Sequence, residues 1–294
     1  VRRTLHMIGN AHLDPVWLWR WPEGLQAIRA TFRSALDRMN ETEEFVFTSS
    51  QAAMYEWIER TEPHMFEEIR QRVREGRWIL VGGWWVQPDC NIPSGEGFVR
   101  QSLYGQRYFQ EKFGVTATVG YNVDSFGHAF GLPQILKKSG MDYYVFMRPN
   151  PKENPDLPGR LWEWEGPDGS RVLTFQIPYA YNSTGGPKLL EKIEETAGEL
   201  TDEIPSFMCF YGVGNHGGGP TKENIRVIQE YQGESVDLLF SDPVRYFREV
   251  EAFRDRLPVV RDDLQHHASG CYAAHSEIKR NNRRSEHALQ SAEK

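Results

Sequence analysis

Short apolar runs alternate with amphipathic helical patterns along this chain of 294 residues, and this alternation constrains its fold more than any other feature. The runs end at Gly, Pro or polar residues, as is typical of strands buried on both faces. Between them, apolar residues recur at three- and four-residue spacing, for example over 25–39 and 97–113. Repeated strand–helix units predict parallel strands with right-handed crossovers and helices outside. Seven or eight such units favour a closed barrel over an open sheet.

The predicted elements divide the chain into two parts. Strands are expected over 4–9, 45–48, 78–83, 119–123, 143–147, 172–177 and 207–211, with 238–240 as a further candidate, and helices over 25–39, 52–60, 65–75, 97–113, 132–139, from 222, and over 276–292. We therefore predict an α/β domain over residues 1–260, an irregular seven-stranded parallel β/α barrel. Residues 261–294 are expected to begin a helical domain that has been cut short.

Composition excludes several classes of partner. The formal net charge of −7 and the absence of a Lys/Arg stripe argue against nucleic acid. The basic run 279–284 is flanked by Glu277 and Glu286, which favours a solvated helix face. The sequence shows no signal peptide and no apolar stretch near 20 residues, so we expect a protein without membrane contact. Its three widely spaced cysteines suit a reducing, cytoplasmic location. Some of the 9 Trp residues lie beside polar breakers, where they would suit sugar rings.

Polar side chains collect at the ends of successive predicted strands. Any one of them alone is equally well explained as a cap or turn residue, but the coincidence at so many strand ends indicates a catalytic rim, because strand carboxyl ends face the crevice of α/β proteins. They are His12 and Asp14 after the first strand, Asp89 after the third, Asp124 and His128 after the fourth, Arg148 after the fifth, Tyr179 and Tyr181 after the sixth, and Asn215 and His216 after the seventh.

The residue types at this rim indicate two kinds of chemistry. His12 and Asp14 are two apart, so in an extended chain both side chains leave on one face and are close enough to share a cation. His and carboxylates without thiolates suit Zn²⁺ or another borderline divalent ion in an open coordination sphere. Paired carboxylates could instead serve as nucleophile and acid/base of a retaining glycosidase, about 5 Å apart.

Three segments resemble, in order and spacing, the leading motifs of the family 38 α-mannosidases. They are GNAHLDPVW at 9–17, GGWWVQPD at 82–89 and NVDSFGH at 122–128. Residues 132–136 and 146–148 extend the match, and 266–272 do so more loosely. The resemblance covers essentially the whole chain.

The resemblance implies a seven-stranded α/β barrel with one zinc ion at the strand ends. His12 and Asp14 would be zinc ligands, and Asp124 would be both a ligand and the nucleophile. The fourth ligand, a His, is expected outside this chain, and any homo-oligomer is expected to form through domains that the chain lacks. The substrate would be a mannose-containing oligosaccharide with a terminal α-linked mannose. Trp17, Phe126 and Arg148 would line the mannose subsite. Their position at the predicted rim, rather than the resemblance, makes Asp89, Tyr179, Tyr181 and Asn215 further candidates for substrate binding.

One loop departs from the family pattern. Family members commonly carry an Asp after the seventh strand as general acid/base, but residues 214–220 read GNHGGGP. His216 is the only titratable side chain there, so it is the candidate acid/base, with a structural His as an equal alternative. A metal-dependent carbohydrate deacetylase, or a non-catalytic sugar-binding fragment, are the competing functions, and the isolated chain is expected to have low activity. The choice of zinc over cobalt or manganese rests on the resemblance.

Overall fold

Strands and helices alternate along much of the computed structural model, which describes residues 3–183, 185–214, 216–233, 236–265 and 267–294. The strands are β1 (Thr4–Gly9), β2 (Phe47–Ser49), β3 (Trp78–Leu80), β4 (Val119–Asn122), β5 (Tyr143–Phe146), β6 (Leu161–Glu165), β7 (Arg171–Gln176), β8 (Ser206–Tyr211), β9 (Asp237–Ser241) and β10 (Val259–Val260). The helices are α1 (Trp21–Glu41), α2 (Ala52–Thr61), α3 (Pro63–Arg74), α4 (Gly95–Phe113), α5 (Leu132–Lys138), α6 (Gly186–Gly198), α7 (Lys222–Gln229), α8 (Pro243–Val250), α9 (Gly270–Ala273) and α10 (Ser276–Glu293), with a 3₁₀ turn at Glu251–Arg256.

The strands form three sheets. β8, β1 and β9 are parallel neighbours, and β2 pairs in parallel with β3. The third sheet has the order β10-β6-β7-β5-β4, in which β6 runs antiparallel to β7. A single bridge between Asn10 and Thr48 joins the end of β1 to β2. The α/β class is therefore confirmed, whereas the predicted seven-stranded parallel barrel is not, because the described strands form small and partly mixed sheets.

Each predicted strand and helix overlaps an observed one, but five further elements were not predicted. β6 has four consecutive buried residues, and a tight turn through Gly169, with φ at +81°, folds it back on β7 as a hairpin. α6 begins amid Gly and Pro residues, and α8 is only 8 residues long, capped by the Asp242 side chain. α9 and β10 span 4 and 2 residues. Such short or Gly/Pro-flanked elements give a weak periodic signal.

The helices pack their apolar faces on the sheets. The core buries large side chains completely, including Phe32 of α1, Tyr55 of α2 and Trp78 of β3, each worth roughly 2–3 kcal/mol on burial. α10 differs because it has no buried residue and is attached by polar contacts, such as Glu286 with the Ser94 amide at 3.0 Å. Within the described ranges, no helix has the length and apolar character needed to cross a bilayer.

Candidate active site

A cavity of about 560 Å³ opens where β1, β3, β4, β5 and β7 end. It is large enough for a sugar ring and combines acidic, basic and aromatic side chains. Eight of the predicted site residues line it. The lining residues are His12, Asp14, Val16, Trp17, Gln87, Pro88, Asp89, Asp124, Ser125, Phe126, Met147, Arg148, Ala180, Tyr181 and Asn182.

One side, which we call the β1 wall, consists of His12, Asp14, Trp17 and Tyr181. Its backbone is fixed by buried Asn10, whose amide donates to the Tyr181 carbonyl at 2.8 Å and the Tyr211 carbonyl at 3.1 Å. The loop after β8 passes so close that a Cβ on Gly212 (φ +121°) would lie 2.1 Å from the Asn10 oxygen. Asn10 therefore ties the ends of three segments together beneath the cavity.

The functional side chains of the β1 wall are less constrained than its backbone. His12 Nε2 lies 3.3 Å from Asp14 Oδ1 and 3.9 Å from Asp124 Oδ2, so one ring nitrogen faces two carboxylates. The other, Nδ1, is buried without a hydrogen-bond partner. The ring edge contacts Tyr181 at 5.2 Å between centroids. Burial, together with the charges of Asp124 and Asp14, raises the pKa of Tyr181.

The opposite side, which we call the β4 wall, consists of Asp89, Asp124, Phe126 and Arg148. The Arg148 guanidinium, following β5, donates to Asp124 Oδ1 and lies 5.2 Å from the centre of the Phe126 ring. Oδ1 of Asp89 accepts from the amides of Asn91 and Ile92 at 2.9 and 2.8 Å. Its Oδ2 lies 3.1 Å from the Tyr272 hydroxyl, so residues beyond 260 support this wall.

A buried polar network underlies the β4 wall. Asn122, the last residue of β4, accepts from Trp84 Nε1 at 2.9 Å and donates to Ser125 Oγ at 3.2 Å. It also lies 3.2 Å from the Cys90 sulfur, and burial raises the pKa of that thiol to about 12. The turn that carries Asp124 is thus fixed from below by neutral groups.

Of the predicted rim residues that the structure describes, Tyr179, His216 and His128 do not line the cavity. Tyr179 has φ at +63° and directs its ring toward Arg160, 6.0 Å from the ring centre. The ring of His216 lies against that of Trp19, with 4.3 Å between ring centres and a tilt of 38°, and its Nε2 is 3.2 Å from a Glu23 oxygen. Asn215 falls outside the described residues.

Sequence reasoning missed several lining groups. Gln87 belongs to the quoted WVQPD motif, and its side chain donates to the Tyr121 carbonyl at 3.0 Å. Its position beside Pro88 and Asp89 was a usable signal. Met147 lies in the segment 146–148 that extends the family resemblance, so it also had a usable signal, whereas Asn182 follows its strand without a recognisable motif.

The donor chemistry of the cavity fits a divalent cation. In the part of the chain that the structure describes, no three His, Cys, Asp or Glu side chains are arranged as a ready-made metal cage. His12, Asp14 and Asp124 are nevertheless the donor types that zinc uses. Two ligands of a tetrahedral zinc ion lie about 3.4 Å apart, close to the His12–Asp14 spacing of 3.3 Å. Nε2 of His12, which faces both carboxylates, is the ring nitrogen that would bind the ion, while Nδ1 is buried without a hydrogen-bond partner.

The fold and cavity define a class: an α/β domain with an acidic, aromatic-lined site of sugar size at its strand ends. Comparison with known proteins makes this specific. The family model described as "Glycosyl hydrolases family 38 N-terminal domain" matches residues 2–269, and the chain belongs to that family.

Curated relatives and a solved structure agree with this membership. Alpha-mannosidase G of Dictyostelium discoideum is 33% identical over 97% of this chain, and human alpha-mannosidase 2C1 is 30% identical over 99%. The chain spans 27% and 28% of the lengths of these two proteins. The crystal structure of an alpha-mannosidase from Enterococcus faecalis V583 shares the fold, with a TM-score of 0.75 at 18% identity, covering 90% of this chain and 31% of that one.

Proposed function

We propose that this chain forms the N-terminal catalytic part of a zinc-dependent retaining α-mannosidase that removes terminal α-linked mannose from oligosaccharides. The observation that carries the proposal is the meeting of His12 and Asp14, after β1, with Asp124, after β4, in one sugar-sized cavity. The names of the curated relatives support mannose as the sugar. The closed barrel and the boundary at residue 260 stay predictions.

Asp124 is the proposed nucleophile. Arg148 binds one carboxylate oxygen and orients the group, while the other oxygen faces the cavity. Attack on the anomeric carbon forms a bond to that carbon and breaks the bond to the leaving oxygen, which gives a glycosyl-Asp124 ester. Water then cleaves the ester, so two inversions retain the configuration.

Aromatic and acidic groups would place the sugar for this attack. Trp17 and Phe126 offer ring faces to the apolar C–H side of the sugar, and Asp89 can accept hydrogen bonds from its hydroxyls. His12, Asp14 and Asp124 would hold the zinc ion. When bound, the ion would supply positive charge that polarises sugar hydroxyl groups.

His216 is the proposed acid/base, but only for a leaving group that extends out of the cavity past Trp17. Its ring stacks on Trp19, which in turn contacts Trp17 at 5.6 Å, so it lies along one route out of the cavity. A carboxylate oxygen of Glu23 lies 3.2 Å from His216 Nε2 and can exchange a proton with that nitrogen.

Replacing the nucleophile tests the function. Asp124→Asn keeps the shape of the side chain but removes its nucleophilic charge, so we expect kcat/KM on an activated aryl α-mannoside to fall by at least about 10³-fold. Asp202→Asn is the matched control because that carboxylate is 89% exposed and pairs with Arg3, away from the cavity. Bound metal is measured by elemental analysis on all three proteins.

Three outcomes would contradict the proposal. Full activity and full metal content in Asp124→Asn would remove Asp124 from both roles. Acetate release from N-acetylated sugars, without mannose release, would favour a metal-dependent deacetylase. Mannose binding by the wild-type protein without turnover of the aryl mannoside would favour a non-catalytic sugar-binding domain.

A further inference from the structure

His128 lies in the core behind the β4 wall and makes two hydrogen bonds. Its Nε2 is 2.8 Å from the carbonyl oxygen of Arg148, and its Nδ1 is 2.7 Å from the hydroxyl of Tyr144 on β5. The side chain is completely buried and does not line the cavity. His128 therefore connects buried Tyr144 of β5 to the backbone of the cavity residue Arg148.

These contacts determine which ring nitrogen carries the proton. A carbonyl oxygen can only accept, so Nε2 must be the N–H donor toward Arg148. The ring is neutral because burial lowers the pKa of His128 to about 3. Nδ1 then has a lone pair, and the Tyr144 hydroxyl donates to it. Both ring nitrogens have hydrogen-bond partners in only one tautomer. A side chain that orients another residue needs such a single tautomer.

The residue that His128 holds is the one that contacts the proposed nucleophile. The Arg148 guanidinium binds Asp124 and lies over Phe126, so its backbone position sets where this cation reaches the carboxylate. The backbone of His128 is itself fixed by reciprocal hydrogen bonds with Leu264, at 2.9 Å each. His128, which donates the hydrogen bond, and Arg148, which accepts it, thus belong to different segments of the chain, and the imidazole of His128 connects these segments.

We propose that His128 is a positioning residue for the reaction: through its Nε2–H bond to the Arg148 carbonyl, it sets the placement of the Asp124–Arg148 pair. This inference rests on the proposed function. His128 touches neither substrate nor reacting atoms and acts only through Arg148. A core histidine with a purely structural role would contribute to stability but not specifically to the placement of Arg148.

Two substitutions separate the two hydrogen bonds. The amide of His128→Gln reaches as far as Nε2 and can still donate to Arg148, whereas that of His128→Asn reaches only as far as Nδ1. We expect kcat of His128→Asn to fall by about 100-fold with KM little changed, since misplacement of about 1 Å has an effect of this size. His128→Gln is expected to recover most of this loss. A Gln variant as impaired as the Asn variant would overturn the proposal.

A double-mutant cycle with Arg148→Ala tests whether His128 acts through Arg148. In the Arg148→Ala background, His128→Asn should lower kcat/KM no further. An equal loss in both backgrounds would show a structural role and overturn the proposal. If His128→Asn does not fold, Tyr144→Phe, which removes only the hydroxyl donor, takes its place in the cycle with the same two outcomes.

An activity-independent measurement separates this inference from the proposed function. The ¹⁵N chemical shifts of the His128 ring in the wild-type chain should show the Nε2–H tautomer, unchanged between pH 5 and pH 9. Absence of mannosidase activity would overturn the proposed function, and the ring shifts would still decide whether the contact to Arg148 exists. A titrating ring, or the Nδ1–H tautomer, would overturn the inference even in an active enzyme.

Discussion

The two walls of the cavity are stabilised in different ways. In the β4 wall the functional side chains themselves are fixed: Asp124 by Arg148, and Asp89 by two backbone amides and a tyrosine hydroxyl. In the β1 wall the backbone is fixed, but His12 is held through Nε2 alone. There, His12 Nδ1 lacks a partner and Trp17 is 59% exposed.

The difference indicates that the two walls have different roles in the proposed reaction. Side chains that are already hydrogen-bonded are preorganised for transition-state charge, whereas groups left without partners are available to a ligand. The β4 wall would therefore supply the oriented nucleophile, and the β1 wall would be completed by the cation and the sugar. We therefore expect substitutions in the β1 wall to lower activity more than stability, and substitutions that remove the support of the β4 wall to lower both.

The largest effect is expected for His12→Ala. Loss of one proposed ligand should remove most of the bound metal and lower kcat/KM by about 10³-fold. Stability should fall only modestly, because the substitution deletes one buried nitrogen that has no partner and one that pairs with partly exposed carboxylates. His128→Ala, in the core behind the opposite wall, is the comparison and should destabilise, because it leaves a buried hydroxyl and a carbonyl without partners. Metal analysis and urea unfolding check this. Equal destabilisation by both substitutions would contradict the contrast between the walls.

The next effect concerns His216→Ala and depends on the leaving group. General acid catalysis contributes about 10²–10⁴-fold, so alkyl α-mannosides should lose about 100-fold in kcat/KM. Aryl mannosides with acidic leaving groups need little protonation and should lose much less. Because His216 is half-exposed and stacks on Trp19, His216→Phe serves as a control that keeps the ring contact. The same loss on both substrates would exclude His216 as the acid.

The fold and the candidate site differ in how far the sequence could predict them. Strands such as β1 and β8 are fully buried or nearly so, and their continuous apolar runs are visible in the sequence. β6 was not predicted because it is defined by its antiparallel pairing with β7, and this pairing depends on the turn between the two strands. α6 was missed for another reason, since its first turn contains Gly186 and Pro187, which usually interrupt helices.

Within the site, residues at strand ends were predictable, but the contacts that orient them were not. His12, Asp14, Asp124 and Arg148 all line the cavity because each lies in the two to five residues that follow a strand end. Tyr179 follows a strand too, yet its positive φ directs it elsewhere. Bonds such as those of Asn10 to Tyr181 and Tyr211 join segments more than 170 residues apart. No local sequence pattern predicts hydrogen bonds between residues so far apart in the chain.

Acid should weaken the support of the β4 wall. The folded protein keeps His128 neutral down to a pKa of about 3, while the unfolded chain protonates it near 6.5. Its contribution is therefore complete above pH 6.5 and is lost as the pH falls from 6.5 toward 3, by about 2 kcal/mol at pH 5. Burial also lowers the pKa of His6, beside Glu249 and Ser241, which adds a loss of the same sign. Urea unfolding at pH 7.5 and 5.0 should show a smaller acid loss in His128→Gln, and an identical loss would contradict this.

The smallest effect is expected for Tyr272→Phe, which tests how far the β4 wall depends on residues beyond 260. The Tyr272 hydroxyl lies 3.1 Å from Asp89 Oδ2 and 3.0 Å from the Phe126 carbonyl, and burial raises the pKa of this phenol. The other Asp89 oxygen keeps its two backbone donors, so the loss should be about 1 kcal/mol, seen as a few-fold rise in KM with kcat unchanged.

Tyr104→Phe, on an exposed part of α4, is the matched control. An unchanged KM would mean that the β4 wall is complete without this segment. A 100-fold loss would instead make Tyr272 part of the sugar-binding surface, because a hydrogen bond to one oxygen of an already oriented carboxylate is worth far less.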